Sequence, residues 1–569
     1  MNPCSFRAEA AERDDNRTIT MRASAHFLLV NEREPTGIRT LLIGLDGASR
    51  SVLRPLVESG QVPNLEALFD RGTVGDLESQ IPPWTPSAWP SLYTGVNPGK
   101  HGAFDFLTFD GYDWGLINRT HVREHALWEL LDRQGLSSVV VNVPVTAPPK
   151  RFDGALVPGY VGPENPTCHP EGLLADLREE MGEYRVYAPD GVDGDEQIEW
   201  YRRLIGMRGE AFRRLAAERE PEFGFVQFQQ TDSVFHDRPE DEAAVHAVFE
   251  AVDEEIGEIL DACDPETVIV ASDHGIGPYD GYEFRVNEFL RDLGLLETTR
   301  GDGSMPSWTA LARERDGDEG GSPTLRAVLR AASSVGITSQ RIHSLLSLLS
   351  LDDVVLDRVS TDTVRAATER VDFPESTAYM RSRTELGIRI NKAGRDPEGS
   401  VSPSEYDAVR DDIVRELAAA ETPDGDPVFE EVSASEEHFD GPFVDEAVDV
   451  VTVPAAFDNY LSASLRGDVF AEPSEPWNHK LDGLVAAAGT AVDAEADVTD
   501  AHLFDVAPTV LASLDVPPSA RMDGEALDAV SAPDPVDYEP FAQRTVRTTD
   551  AAAAERRLAD LGYLDNDDH

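Results

Sequence analysis

Five short pieces of the chain would, if brought together, hold two divalent metals beside a threonine hydroxyl: Asp46 in LLIGLDG, Thr85 in PPWTPSAW, Asp232 with His236 in QTDSVFHDR, Asp273 with His274 in VASDHG, and His479 in PWNHKLDG. Carboxylate oxygens and imidazole nitrogens together suit zinc, and the same mixture accepts manganese. An alcohol is a weak nucleophile at neutral pH unless its alkoxide is stabilised, which a bound divalent ion does. These seven groups argue for a hydrolase.

Asp46 directly follows the apolar run Thr40 to Leu45, which reads as a buried parallel strand. Such strands put side chains at their carboxyl ends, where open α/β sheets bind ligands. A second run, Val268 to Val270, ends close to Asp273 and His274. A third, Phe223 to Phe228, precedes Asp232 and His236, which are four apart and on a helical turn would face one way. His479 lies between a Pro-rich loop and another apolar run and is expected on a loop. Each piece has a plainer reading when taken alone. Asp46 before glycine reads as a turn, Asp273 to Gly275 as a loop, Asp232 and His236 as surface residues of an acidic protein, and His479 as solvated. The case rests on their order and coincidence.

The stretches GLDGASRSVLRPLVESGQVPNLEALFDRG and IPPWTPSAWPSLYTGVNPGKHGAFDF resemble the alkaline phosphatase superfamily, in its type I phosphodiesterase and nucleotide pyrophosphatase branch. Ser272 to Gly275, His479 with Gly483, and DVAPTVLASLDVP from Asp505 follow in the same chain order, and the likeness runs from about residue 38 to Leu564. The resemblance implies an α/β fold: a three-layer sandwich with a mostly parallel central sheet and an inserted α/β cap. It further implies that Asp232, His236 and His479 hold one zinc, that Asp46, Asp273 and His274 hold the other, and that Thr85 contacts the second metal and acts as nucleophile. Thr85 stands nine residues before Thr94-Gly95, as the family's threonine does before its own Thr-Gly, and Ser87 is the nearby competitor.

On that basis the expected chemistry is hydrolysis of a phosphodiester or nucleotide pyrophosphate bond through a phosphothreonine intermediate, with small phosphate esters as partners. A phosphotransferase using an alcohol acceptor, a phosphomonoesterase, and a binding protein that has lost catalysis are the alternatives. A sulfatase is disfavoured, because Thr85-Pro-Ser-Ala-Trp lacks the Cys or Ser followed by x-Pro-x-Arg. One departure bears on substrate binding: family pyrophosphatases carry asparagine three residues after the nucleophile, and here that place is Ala88. The amides after Thr85 would substitute if the segment opens a helix. Trp84, Ala88 and Trp89 read either as a surface for a diester's second substituent or as core, and His101 reads as structural.

The chain has 569 residues, and the candidate ligands span 46 to 479, so one core is assembled from distant segments. The expected divisions are an N-terminal extension over 1–36, a discontinuous core over 37–300 and 441–535, a cap over 301–440, and a tail over 536–569. The Gly-rich stretches RGDGS and DGDEGGSP mark the start of the cap. The helical patterns TLRAVLRAAS and EYDAVRDDIVRELAAA and a strand from Leu386 to Asn391 make it mixed α/β. Acidic residues number 107 against 49 basic, only four of them lysine, for a net charge of −58. This is a halophile's composition, and 41% hydrophobic content with periodic segments argues against disorder. Nucleic acid and anionic membranes are poor partners for such a surface. No stretch reaches the roughly 20 apolar residues of a membrane span, so the cytoplasm is the default. Cys4, Cys168 and Cys263 have no metal-site spacing and form no disulfide framework. The true start falls at Met1 or Met21, and a short helix is expected over Ala551 to Leu561.

Overall fold

A computed structural model describes residues 37–189, 191–299 and 369–542. The N-terminal extension, the two Gly-rich boundary stretches, the TLRAVLRAAS helix and the helix expected over Ala551 to Leu561 lie outside the described residues.

The apolar runs form the middle of an eight-stranded sheet. In spatial order the strands are Ala501–His502, Thr73–Glu78, Asp482–Gly489, Thr267–Ala271, Thr40–Leu45, Phe223–Phe228, Ser138–Val141 and Gly154–Val157. Five of the seven neighbouring pairs are parallel, and only Asp482–Gly489 runs against both its neighbours. The central strands are apolar at nearly every position because both faces are covered. Leu41, Ile43, Leu45, Val226, Phe228, Val268 and Val270 point into one core. There they meet the long helices Gly194–Arg219 and Glu242–Cys263. Leu42, Phe223, Phe225, Ile269 and Ala271 point into the other core, against helices Thr85–Thr94, Leu127–Arg133 and Val506–Ser513. Two helical layers thus enclose the sheet, the three-layer α/β sandwich that the resemblance implied.

A second, four-stranded antiparallel sheet joins Ala378–Tyr379, Gly387–Ile390, Val450–Pro454 and Phe429–Ala434, with helix Tyr406–Ala418 beside it. The strand and the helix fall where the sequence pattern placed them; Val450–Pro454 lies beyond residue 440. The chain from Pro535 follows the surface: Val536 exchanges backbone hydrogen bonds with Pro518 and Ala520, and Phe541 lies under the Lys150 ammonium. Among the described residues, no helix is long and apolar enough to cross a membrane.

Candidate metal centre

Three adjacent parallel strands, Thr267–Ala271, Thr40–Leu45 and Phe223–Phe228, run in register, so their carboxyl ends share one sheet edge. Asp273, Asp46 and Asp232 follow those three ends. Asp46 and Asp273 stand in the connections, and Asp232 stands with His236 on helix Gln230–Asp237. Gly47 turns the chain with φ 63°, and a Cβ there would come within 2.9 Å of Asp232 Oδ1. The glycine therefore lets Asp232 pack directly against the Asp46 turn. From Asp273 the chain enters the short strand Gly275–Pro278, which pairs antiparallel with Trp477–Lys480 and sets His479 opposite Ile276. His479 thus arrives on a strand rather than on the loop expected from the flanking prolines. A loop after strand Thr73–Glu78 delivers Thr85 as the first residue of its helix, which Gly95 closes in the left-handed conformation.

All seven expected residues converge. Asp232 Oδ1 lies 3.4 Å from His236 Nε2 and 3.7 Å from His479 Nε2, and the two imidazole nitrogens are 3.2 Å apart. His274 Nε2 faces Asp273 Oδ2 at 3.3 Å and Asp46 Oδ1 at 3.5 Å. Thr85 Oγ1 stands 3.5 Å from both Asp46 Oδ1 and His274 Nε2. Two groups have ligand atoms within 4.8 Å of one another: Asp232, His236 and His479, and Asp46, Asp232 and His274. Asp232 is common to both groups. Ser87, the competing hydroxyl, donates to Ala103 O at 2.8 Å and takes a hydrogen bond from Gln80.

These residues fit divalent metals. His479 Nδ1 and His274 Nδ1 each donate to a backbone carbonyl, Pro83 O at 2.8 Å and Gly275 O at 2.9 Å. Each Nε2 lone pair is thereby left facing the carboxylates, the usual orientation behind a metal-bound histidine. Asp273 Oδ2 is buried and accepts no hydrogen bond, which an ionised carboxylate tolerates only beside a cation. Burial, reinforced by the neighbouring carboxylates, pushes Asp46 and Asp273 well above the usual carboxylate range. Burial also opposes ionisation of Asp232, but His236, His479 and His274 together hold it low. Burial takes His274 down to about 4 and, with the help of His274, lowers His479 well below its ordinary value. His236 goes the other way: burial pulls it down, but Asp232 outweighs that and raises it. Buried carboxylates that resist ionisation release that strain by taking up cations.

Behind Asp46 stand Gln227, which escaped the sequence reading, and Trp89, whose part in holding Asp46 the sequence did not show. Gln227 Nε2 and Trp89 Nε1 both donate to Asp46 Oδ2, at 2.7 and 2.9 Å. The signal for Gln227 was a long polar side chain within the run FGFVQF. Trp89 is fully buried, so it orients Asp46 rather than offering a substrate surface. Trp84 stacks on His479, 5.3 Å between centroids. His101 is structural: it is buried, bonds Ser91 and the Ala103 amide, and is taken by burial to about 3. The helix does open at Thr85, yet it supplies few amides. Pro86 has none, and those of Ser87 and Ala88 both bond Trp84 O.

No curated protein matches the sequence. Among solved structures, the phosphonoacetate hydrolase of Sinorhizobium meliloti 1021, crystallised with phosphonoformate, is similar at 15% identity; the match covers 83% of this chain and 94% of that one with a TM-score of 0.50. This likeness supports the fold. Murine ectonucleotide pyrophosphatase/phosphodiesterase 5 matches at 14% identity over 87% of this chain and 97% of its own, TM-score 0.45. The alkaline phosphatase PafA matches at 14% over 88% and 99%, TM-score 0.49. Residues 40–336, just over half of the sequence and including every candidate ligand except His479, match the family described as type I phosphodiesterase / nucleotide pyrophosphatase. The chain belongs to that family.

Proposed function

We propose that the protein hydrolyses phosphate esters, either diesters or nucleotide pyrophosphates, using Thr85 as nucleophile beside two divalent metals. Asp232, His236 and His479 would hold one ion, and Asp46, Asp273, His274 and Thr85 the other. When bound, such a pair supplies Lewis acidity that favours an alkoxide and stabilises the entering and leaving oxygens of an in-line displacement. Thr85 Oγ1 forms the new P–O bond while the leaving oxygen departs with the electrons of the old one. Water then cleaves the phosphothreonine and restores the hydroxyl, so one difficult displacement becomes two easier ones. Gln227 and Trp89 keep Asp46 in place throughout.

The observation that carries this reading is the position of Thr85 Oγ1, 3.5 Å from a carboxylate oxygen and from an imidazole lone pair, inside a cluster that is buried except at His236. Zinc suits the mixed donor set, with manganese as substitute. We read the segment through the second sheet as the cap whose inner surface chooses the substrate, and the acidic composition as that of a protein built for concentrated salt.

The test is Thr85→Ala, with metal content measured on the same samples. Turnover of phosphomonoesters, diesters and nucleoside polyphosphates should disappear in the variant while two metals per chain remain, and the relative rates of the wild type rank the substrate classes. Retained turnover would remove Thr85 from the mechanism.

A further inference from the structure

Behind Asp46 stands a row of three buried amides, and the last of them points a donor at nothing. Asn142 Nδ2 donates both to Gln227 O at 3.1 Å and to Gln227 Oε1 at 2.8 Å. Gln227 Nε2 donates in turn to Asp46 Oδ2 at 2.7 Å and to Gln229 Oε1 at 3.3 Å. Amide orientations follow from such networks. A backbone carbonyl only accepts, so the bond to Gln227 O fixes the amine end of Asn142, and that amine's second bond, to Gln227 Oε1, fixes Gln227 in turn. Gln229 must then show its oxygen to Gln227 and turn its amine away. That Nε2 is buried and has no hydrogen-bond partner, in a residue only 5% exposed.

Its position gives the orphan donor a use. Gln229 directly follows strand Phe223–Phe228 at the ligand edge of the sheet, and its side chain does not cap the following helix. Its backbone carbonyl already receives the amides of Asp232 and Ser233. Two hydrogen bonds link its amide to Asp46, the residue facing Thr85 Oγ1. Most other donors around Thr85 are committed: the Ser87 and Ala88 amides to Trp84 O, the Ser87 hydroxyl to Ala103 O, and the Trp89 indole to Asp46. The Trp84 indole N–H is the other buried side-chain donor there without a partner, and it belongs to a ring stacked on His479 rather than to the amide row behind Asp46. A buried amide donor left unpaired costs about 1–3 kcal/mol, and native proteins keep few such groups.

Resting on the phosphate-ester reading above, the geometry points to Gln229 Nε2 as the neutral donor that receives a phosphoryl oxygen of the ester held at Thr85. Its orientation is set in advance by the Asn142–Gln227 relay. A donor fixed before charge develops on that oxygen lowers the barrier without reorganising.

The experiment pairs Gln229→Met, which keeps the volume and removes the donor, with Trp84→Phe, which keeps the stack on His479 and removes the other buried indole N–H near the cluster. With bis(p-nitrophenyl) phosphate as probe, Gln229→Met should lose about 10²–10³-fold in kcat, the effect of deleting one oxyanion donor. Its Ki for orthovanadate should rise in parallel while metal content and melting temperature hold, changes that a purely structural role would not separate. Trp84→Phe should stay near wild type. A crystal structure of the wild type with vanadate, which needs no variant and no turnover, should place Nε2 within hydrogen-bond distance of a vanadate oxygen. A gap beyond about 4 Å, wild-type vanadate binding in Gln229→Met, or transfer of the loss to Trp84→Phe overturns the inference. Absence of turnover in the wild type on every ester would instead overturn the proposed function.

Discussion

The imidazoles of His274 and His479 lie face to face, 3.6 Å between ring centroids and 17° from parallel. The two residues are far apart in sequence and are brought together by the pairing of Gly275–Pro278 with Trp477–Lys480. Each ring is locked by an Nδ1–H bond to a carbonyl, and each faces a different carboxylate group. On the proposed assignment, replacing His479 by alanine removes a ligand of one metal position and one wall of the other. We expect His479→Ala to bind about one metal per chain with weakened affinity and to lose more activity than the roughly 10–100-fold typical of losing a partner behind a metal ligand. Metal titration beside turnover checks this; two tightly held metals would contradict it.

The Asp46 carboxylate is held from behind by Gln227 and Trp89, so these residues should tune the proposed metal site without joining it. Trp89→Phe keeps most of the ring's volume and removes the hydrogen bond to Oδ2. Metal affinity should fall about 10–100-fold, and excess metal should restore turnover. Gly44→Ala attacks the same contact sterically: its Cβ would sit 2.5 Å from the Trp89 ring. That variant should melt earlier than wild type, and metal should not rescue it.

How far the sequence disclosed this site follows from what sets each position. Asp46, Asp232 and Asp273 were legible because each follows an apolar run, and continuous runs of that kind pair in parallel with both faces covered. The spacing of Asp232 and His236 was legible because it is local to one helix. The strand carrying His479 was not, since its partner lies about two hundred residues away and the register comes only from tertiary pairing. Ala88 marked a missing donor, but the expectation that helix amides would replace it fails on local chemistry, because Pro86 lacks an N–H and the next two amides turn back to Trp84. Gln227 and Gln229 were hidden for another reason: a polar residue at the end of a buried strand shows its purpose only when its neighbours are in place.

Asp105, which is not among the candidate ligands, provides a pH-dependent test. It is wholly buried, one oxygen accepts from Thr384 and the Phe106 amide, and the other has no partner. Burial, aided by Glu385, pushes its carboxyl up to about 7. The folded protein therefore binds this proton more tightly than the unfolded chain, whose aspartate titrates near 3.9. The resulting stability is fully present below the unfolded value and is lost as pH rises through about 7. Asp105→Asn should abolish that dependence and melt higher than wild type above pH 7. Parallel melting profiles for the two proteins between pH 4 and 8 would place Asp105 outside this balance.

The net charge of −58 makes salt the largest expected lever on stability. The four lysines do little to neutralise the outer surface, because each is engaged locally: Lys100 with Asp523, Lys150 with Glu129, Lys392 over the Tyr406 ring and Lys480 with Asp458. The remaining basic residues are arginines, and many are drawn into ion pairs such as Arg119–Glu129 and Arg381–Glu385, both nearly buried. Excess carboxylates are left to repel one another across the surface. At molar salt the Debye length falls to about 3 Å, so this repulsion is screened, whereas the buried ion pairs are barely affected. The melting temperature should therefore climb steeply as KCl rises from dilute to molar, and in dilute buffer the protein should unfold or aggregate. A melting curve unchanged from dilute to saturated salt would show that the packing of the two cores outweighs surface repulsion on its own.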